Sequence, residues 1–200
     1  GLHNLENLLV ALGILTSLGF AVEPSIRALE HAASVPGRLE RVDGPEDDLV
    51  ALVDYAHTPD ALTRALGAIR SVSNSPVVCV FGCGGDRDRK KRAPMGRAVA
   101  EAADVVWLTS DNPRTEDPQR ILNDVKPGLD GARGTVFEEI DRARAIRSAV
   151  LEAPSGATVL VAGKGHENYQ IIGTEVLPFD DAVEVRRALE ERRRARRDSR

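Results

Sequence analysis

Val105-Val106-Trp107-Leu108-Thr109-Ser110-Asp111-Asn112-Pro113-Arg114-Thr115-Glu116-Asp117-Pro118 holds the grammar of the whole chain in one stretch. It opens on an unbroken apolar run and passes through a loop of Asp, Asn, Pro and Arg. Asp117-Pro118 then supplies a helix N-cap followed by proline, ahead of the amphipathic run Ile121-Leu122-Asn123-Asp124-Val125. The unit is a buried strand, a loop and a helix, and the loop stands at the strand's carboxyl end, where open α/β sheets bind ligands. Asn112 offers donors and an acceptor, Arg114 a rigid fork of donors suited to a carboxylate, and Pro113 between them restricts the backbone. Such a loop suits an amino-acid head group. The same residue types serve any strand-to-helix turn, so the rest of the chain has to decide.

The unit recurs in both directions. Toward the C-terminus come a short strand near Thr135 to Phe137 and a helix from Asp141 to Leu151 with Ala145, Ile146, Ala149 and Val150 inward. After these stand a buried strand from Thr158 to Ala162, a hairpin from Tyr169 to Leu177 around Gly173-Thr174, and a closing helix from Asp181. Toward the N-terminus, Val77 to Phe81 is a continuous apolar strand ending in Gly82-Cys83-Gly84-Gly85, ahead of a helix carrying Met95, Val99 and Ala102. Before it, strands over Leu39 to Val42 and Leu49 to Tyr55 flank an acidic loop from Asp43 to Asp48, and a helix from Thr58 to Ile69 places Leu62, Leu66 and Ile69 on one face. Alternating strands and helices predict an α/β fold, a Rossmann-like mostly parallel sheet with helices on both faces, over residues 36–200. Residues 1–35 read differently. Leu5, Leu8, Leu9, Leu12, Leu15 and Leu18 mark one helix and Ile26, Leu29 and Ala33 a second, with Val35-Pro36-Gly37-Arg38 as the junction to the first strand. Two helices do not make a domain, and Gly1 is not a natural initiator; the expectation is a piece of a longer protein in which this pair completes another domain.

Composition narrows the function classes. Hydrophobic residues at 42% and charged residues at 29% are those of an ordinary soluble globular protein, and aromatics at 4% leave Ala, Val and Leu to fill the interior. A formal net charge of -4 argues against a binder of nucleic acid or of anionic membrane. Eight arginines between Arg186 and Arg200 read as a solvated helical end. Cys79 and Cys83 are too few for a disulfide framework or a zinc site, which suits small buried residues and a cytoplasmic location. No apolar run reaches the ~20 residues of a membrane span.

In a parallel sheet the post-strand loops gather at one rim, here Asp54 to Pro59, Gly82 to Arg92, Ser110 to Arg114, and Gly163 to Glu167. All are rich in polar residues or glycine. Thr58-Pro59 caps a helix, and Asp54 has the chemistry to accept from a ribose or to fix a neighbouring group. The run Gly82-Cys83-Gly84-Gly85-Asp86-Arg87-Asp88-Arg89-Lys90-Lys91-Arg92 pairs close backbone approach with cations. It lacks both the ordered glycines of a dinucleotide fingerprint and the Lys-Ser/Thr of a P-loop, so it predicts a carboxylate or anion site. Gly163-Lys164-Gly165-His166-Glu167 is likewise no Walker motif. Its Glu167 suits an ammonium whose carboxylate meets Arg87 or Arg114. No nucleophile constellation has persuasive spacing. The rim is built to hold a zwitterion.

The ordered motifs resemble the C-terminal part of the Mur ligases, in the branch that adds meso-2,6-diaminopimelate. They are Gly1-Leu2-His3-Asn4-Leu5-Glu6-Asn7, Val35-Pro36-Gly37-Arg38-Leu39-Glu40, Asp54 to Pro59, Gly82 to Met95, Asp111-Asn112-Pro113-Arg114, and Ala162 to Glu167 with Tyr169-Gln170. The resemblance implies that Asp111 to Arg114 form the diaminopimelate-selecting signature, and that Arg87, Asn112, Arg114, Gly163 and Glu167 contact the amino acid, mostly at its distal D-centre. It implies that Asn4, Asn7, Arg38 and Asp54 stand near ATP. His3 departs from the phenylalanine of many relatives. It further implies ATP-dependent ligation of the amino acid to UDP-MurNAc-L-Ala-D-Glu through an acyl phosphate, with Mg2+, by a cytoplasmic enzyme of peptidoglycan synthesis. The P-loop, magnesium ligands, carbamylated lysine and UDP-binding domain would lie upstream, leaving this chain inactive alone. Two alternatives stand beside it: a ligase of the folylpolyglutamate synthetase kind, and a stand-alone amino-acid-binding or regulatory module.

Overall fold

The computed structural model describes residues 2–31 and 35–198, with side chains from Glu6 onward, and its chain contacts divide after Val35 into two compact units. The first unit holds α1 (Leu2–Ser17) and α2 (Val22–Glu30), joined through Gly19 in the left-handed region at φ 88°. Its leucine stripe is largely open: Leu9 is 58% and Leu18 70% exposed and Leu12 and Leu15 are half-buried, while the Leu5 side chain and Ala33 lie outside the described residues. A pair of helices has too little surface to enclose an apolar face.

The second unit contains β1 (Glu40–Arg41), β2 (Val50–Asp54), α3 (Pro59–Val72), β3 (Val77–Cys83), α4 (Arg92–Ala100), β4 (Val105–Ser110) and α5 (Pro118–Leu129). The chain continues with β5 (Thr135–Glu138), α6 (Arg142–Glu152), β6 (Thr158–Ala162), the hairpin β7 (Tyr169–Ile172) and β8 (Glu175–Pro178), and α7 (Asp181–Asp198). The six-stranded sheet runs β1-β2-β6-β3-β4-β5, parallel throughout except for the antiparallel β1. Only two residues of the strand expected over Leu39 to Val42 join the ladder. Leu39 instead takes a left-handed φ of 44° and donates its N–H to Asp54.

The alternation of side chains sorts the core. On β3, Cys79, Phe81 and Cys83 face one layer with Leu62, Met95 and Ile121 of α3, α4 and α5, while Val78 and Val80 face the other with Ile146 and Val185 of α6 and α7. The chain after β3 therefore leaves on the α3–α5 face, whereas the chain after the neighbouring β6 leads to α7 on the opposite face. The two loops part between β3 and β6, the switch point at which open α/β sheets form a crevice.

The arginine-rich end is not the merely solvated terminus that its charge suggests. Arg192 is 8% exposed and donates through Nε and Nη2 to Asp48 at 2.8 and 2.9 Å and through Nη1 to the carbonyl of Val150, while Arg193 reaches Asp47 and Arg196 reaches Asp48. The acidic loop before β2 supplies the other half of a network whose partners lie more than a hundred residues apart. Hydrogen bonds from Arg192 hold the Asp48 carboxyl well below its usual range, against the opposing effect of burial, and Ser155 and the charge of Arg196 add to them. A depressed folded-state value means stability that is complete above the ordinary 3.8 and is lost as pH falls toward the folded value. Arg192→Met is expected to cost about 3 kcal/mol at pH 7 and distinctly less at pH 3. The unfolding midpoint of the second unit at the two pH values measures this.

Candidate functional site

The four predicted loops meet at the carboxyl ends of β2, β3, β4 and β6 around a cleft of about 250 Å³. Tyr55 and His57 come from the first loop and Gly82, Cys83, Gly84, Arg87 and Lys91 from the second, with Met95 of α4. Asp111, Asn112 and Arg114 come from the third, and Gly163, Glu167 and Tyr169 from the fourth and the start of the hairpin. Every residue expected at an amino-acid site lines it except Pro113, which is buried. The Pro113 carbonyl would stand 1.9 Å from a Cβ on Gly85, so only glycine lets the second and third loops close on one another.

Asn112 is the centre of the polar lining. Its Oδ1 accepts from Lys164 Nζ at 2.7 Å and from the Ile171 N–H at 3.0 Å, and its Nδ2 donates to Glu167 Oε2 at 3.0 Å. Arg114 has a left-handed φ of 52° and bridges to the hairpin, its N–H donating to Ile171 and its carbonyl accepting from Gly173. Its Nη1 donates to the Gly85 carbonyl at 2.8 Å, while Nε and Nη2 make no bond among the described residues. Two sides of the guanidinium fork are thus available to a carboxylate.

The basic run splits between scaffold and cleft. Arg92 is fully buried and its guanidinium bonds Glu116, Asp124 and the Gly84 carbonyl; Arg89 also bonds Glu116, and Lys91 donates to the His57 carbonyl. Glu116 in turn accepts the Asp86 N–H, and hydrogen bonding from Arg92 brings its carboxyl down to about 2. Asp86 accepts from Thr115, so two acidic residues lock the second loop to the third. Arg87, exposed and bonded among the described residues only to the Asp86 carbonyl, is the member of the run whose guanidinium is left for the cleft.

Of the residues expected near ATP, Arg38 is exposed with its guanidinium 5.1 Å over the Tyr55 ring. Asp54 is buried, and its two oxygens accept the N–H groups of Leu39 and Ala56 at 2.7 and 2.8 Å. Burial raises its pKa, and those two bonds and Arg38 oppose the rise. It ties the post-β2 loop to the segment after the junction. Asn7 lies exposed on α1, and the Asn4 side chain lies outside the described residues. Among the described residues no group of three or more His, Cys, Asp or Glu side chains is placed to hold a metal ion, and no helix is long and apolar enough to cross a membrane. Cys79 and Cys83 are free and buried, and burial pushes both thiols up to about 12.

Two buried cations escape a reading by motifs. The motifs give Lys164 no role, yet its side chain is completely enclosed at the back of the cleft. Arg142 is also fully buried, paired with Asp181 and donating to the carbonyls of Ser110 and Ala162, the last residues of β4 and β6. A lysine between two glycines directly after an apolar strand is the available signal for the first. Nothing in the local sequence joins Arg142 to Asp181.

A family profile described as "Mur ligase, glutamate ligase domain" matches residues 37–165. This chain belongs to the Mur ligase family. Among its relatives, the UDP-N-acetylmuramoyl-L-alanyl-D-glutamate–2,6-diaminopimelate ligase of Nostoc sp. is 53% identical over 194 residues, covering 96% of this chain and 39% of that protein. A solved structure of a ligase of the same name is 44% identical with a TM-score of 0.72, over 94% of this chain and 38% of that one. This Mur ligase chain thus spans about two-fifths of the length of the relatives it matches. The bifunctional folylpolyglutamate synthase/dihydrofolate synthase of Yersinia pestis superposes with a TM-score of 0.59 over 78% of this chain and 35% of its own, at 24% identity, a likeness of fold alone.

Proposed function

We propose that this chain is the amino-acid-binding part of a ligase that joins meso-2,6-diaminopimelate to UDP-MurNAc-L-Ala-D-Glu, and that it does not catalyse alone. The observation carrying this reading is the opposed chemistry of one cleft. Glu167, with one oxygen bonded to Asn112, shares it with the unspent donors of Arg114 and with Arg87. A carboxylate and two guanidinium groups at one site hold an ammonium and a carboxylate together. The names of the relatives support the identity of the amino acid and of its acceptor.

In the proposed reaction ATP phosphorylates the D-glutamyl carboxylate, and the amine of diaminopimelate displaces phosphate from the acyl phosphate. Mg2+ would neutralise charge on the transferring group, from ligands elsewhere in the longer protein. This chain's residues bind and orient: Asn112, Arg114, Arg87, Asp111, Gly163 and Glu167 hold the amino acid so that its amine meets the activated carboxyl. Exposed Arg38 would meet the ATP phosphates, and Asp54 would hold the Arg38 segment in place, with Asn4 and Asn7 on the nucleotide side.

The full-length protein is expected to form product with meso-diaminopimelate and to discriminate strongly against lysine. Lysine lacks the distal carboxylate and would leave Arg114 unpaired. Comparable kcat/KM for the two amino acids, measured by phosphate release, would sink the reading.

A further inference from the structure

Lys164 is buried on different terms from the other enclosed cations. Arg142, Arg192 and Arg92 each hydrogen-bond a carboxylate at 2.7 to 2.8 Å. The carboxylate oxygens nearest Lys164 Nζ stand farther off, Asp111 Oδ1 at 3.5 Å and Glu167 Oε2 at 3.8 Å. Its two short bonds go to neutral acceptors, Asn112 Oδ1 at 2.7 Å and the Tyr169 carbonyl at 2.8 Å. Burial lowers the amine's pKa, and the charges of Asp111 and Glu167, at 3.5 and 3.8 Å, oppose that only in part. A desolvated lysine aimed at one side-chain amide fits a task at that amide better than a contribution to stability.

The task is set by the donor and acceptor inventory. Asn112 Oδ1 receives two donors, Lys164 and the Ile171 N–H, so the amide cannot exchange its ends. Its Nδ2 is then fixed toward Glu167 Oε2, leaving one hydrogen beyond that bond. Without the amine, the Ile171 N–H and the bond to Glu167 still favour this orientation, but the amide oxygen loses its shorter donor and the side chain is held less firmly.

We propose that Lys164 is a positioning residue for amino-acid selection, which by donating to Asn112 Oδ1 keeps the Asn112 donor and the Glu167 carboxylate in the orientation that receives the amino acid. The inference rests on the proposal that this cleft binds the amino acid and adds a residue to it. Lys164 touches no substrate and acts through Asn112.

The test uses the full-length protein, with Lys164→Met, Asn112→Ala and the double variant, and with Lys164→Ala in place of Met should that variant not fold. Lys164→Met is expected to raise the KM for meso-diaminopimelate about tenfold or more, with the KM for ATP within about twofold of wild type. In the Asn112→Ala background the same substitution should shift the amino-acid KM by no more than about twofold, because the group it acts through is gone. A shift of equal size in both backgrounds, an unchanged amino-acid KM, or a parallel loss in kcat and in the ATP KM overturns the proposal while the proposed function stands. Failure of the wild-type protein to use meso-diaminopimelate overturns that function and this inference with it.

Discussion

Asp181→Ala is expected to be the most damaging single substitution in the second unit, destabilising it by about 3 to 5 kcal/mol. Neither side chain of the Arg142–Asp181 pair has any exposure, and two bonds of 2.7 Å join Arg142 Nε and Nη2 to the two carboxylate oxygens. Removing the carboxylate leaves a guanidinium that burial disfavours and that, among the described residues, keeps hydrogen bonds only to the carbonyls of Ser110 and Ala162, with Asp111 and Glu167 acting as more distant charges. Arg142→Met leaves the Asp181 carboxylate buried without its partner and strands the carbonyls of Ser110 and Ala162, and is expected to cost nearly as much. Combining Asp181→Leu with Arg142→Met should recover part of the loss, since apolar replacement of a whole buried pair is often close to neutral. Chemical unfolding of these variants, with Asp181→Leu alone to close the cycle, measures the coupling. A double variant no more stable than Asp181→Ala would mean that the charge is not what makes the single substitution costly. Amino-acid binding should fall in all three, because those carbonyls end the strands that launch the Asp111–Arg114 and Gly163–Glu167 loops.

How much of the molecule is legible in its sequence depends on which interactions are local. Strands buried on both faces are continuous apolar runs, so Val77 to Phe81, Val105 to Leu108 and Thr158 to Ala162 announce themselves, and their common direction places the four loops on one rim. Helix starts are as plain: Thr58 and Asp117 accept from the backbone as their sequence suggests. Ion pairs between distant segments carry no such mark. Asp48 with Arg192, Arg92 with Glu116 and Arg142 with Asp181 are set by the folded sheet, so an acidic loop and an arginine-rich end, each solvated by its composition, turn out to be one network. For the same reason the residue types from Arg87 to Arg92 predict an anion site without saying which cations face it, whereas the fold sets Arg89 and Arg92 against Glu116 and leaves Arg87 at the cleft.

Arg114→Ala is expected to raise the KM for meso-diaminopimelate by about 10- to 100-fold, from the roughly 1.5 to 3 kcal/mol of charged hydrogen bonding it removes. Arg114 keeps its backbone place through Ile171 and Gly173 whatever its side chain is, so the loop should persist in the variant. Alanine retains the unfavourable left-handed conformation that Arg114 already has, and Arg114→Gly relieves it. If binding rather than loop strain is at stake, the two variants lose affinity alike while glycine is the more stable. Arg114→Lys is expected to restore little, because a point charge cannot hold the Gly85 carbonyl and still present two parallel donors. The decisive quantity is the ratio between substrates. Lysine brings no distal carboxylate, so its poor kcat/KM should hardly change in Arg114→Ala, and discrimination should narrow by the factor that diaminopimelate loses. A loss shared equally by both amino acids would place Arg114 at the end of the substrate they have in common, and selection would then fall to Asn112 and Glu167.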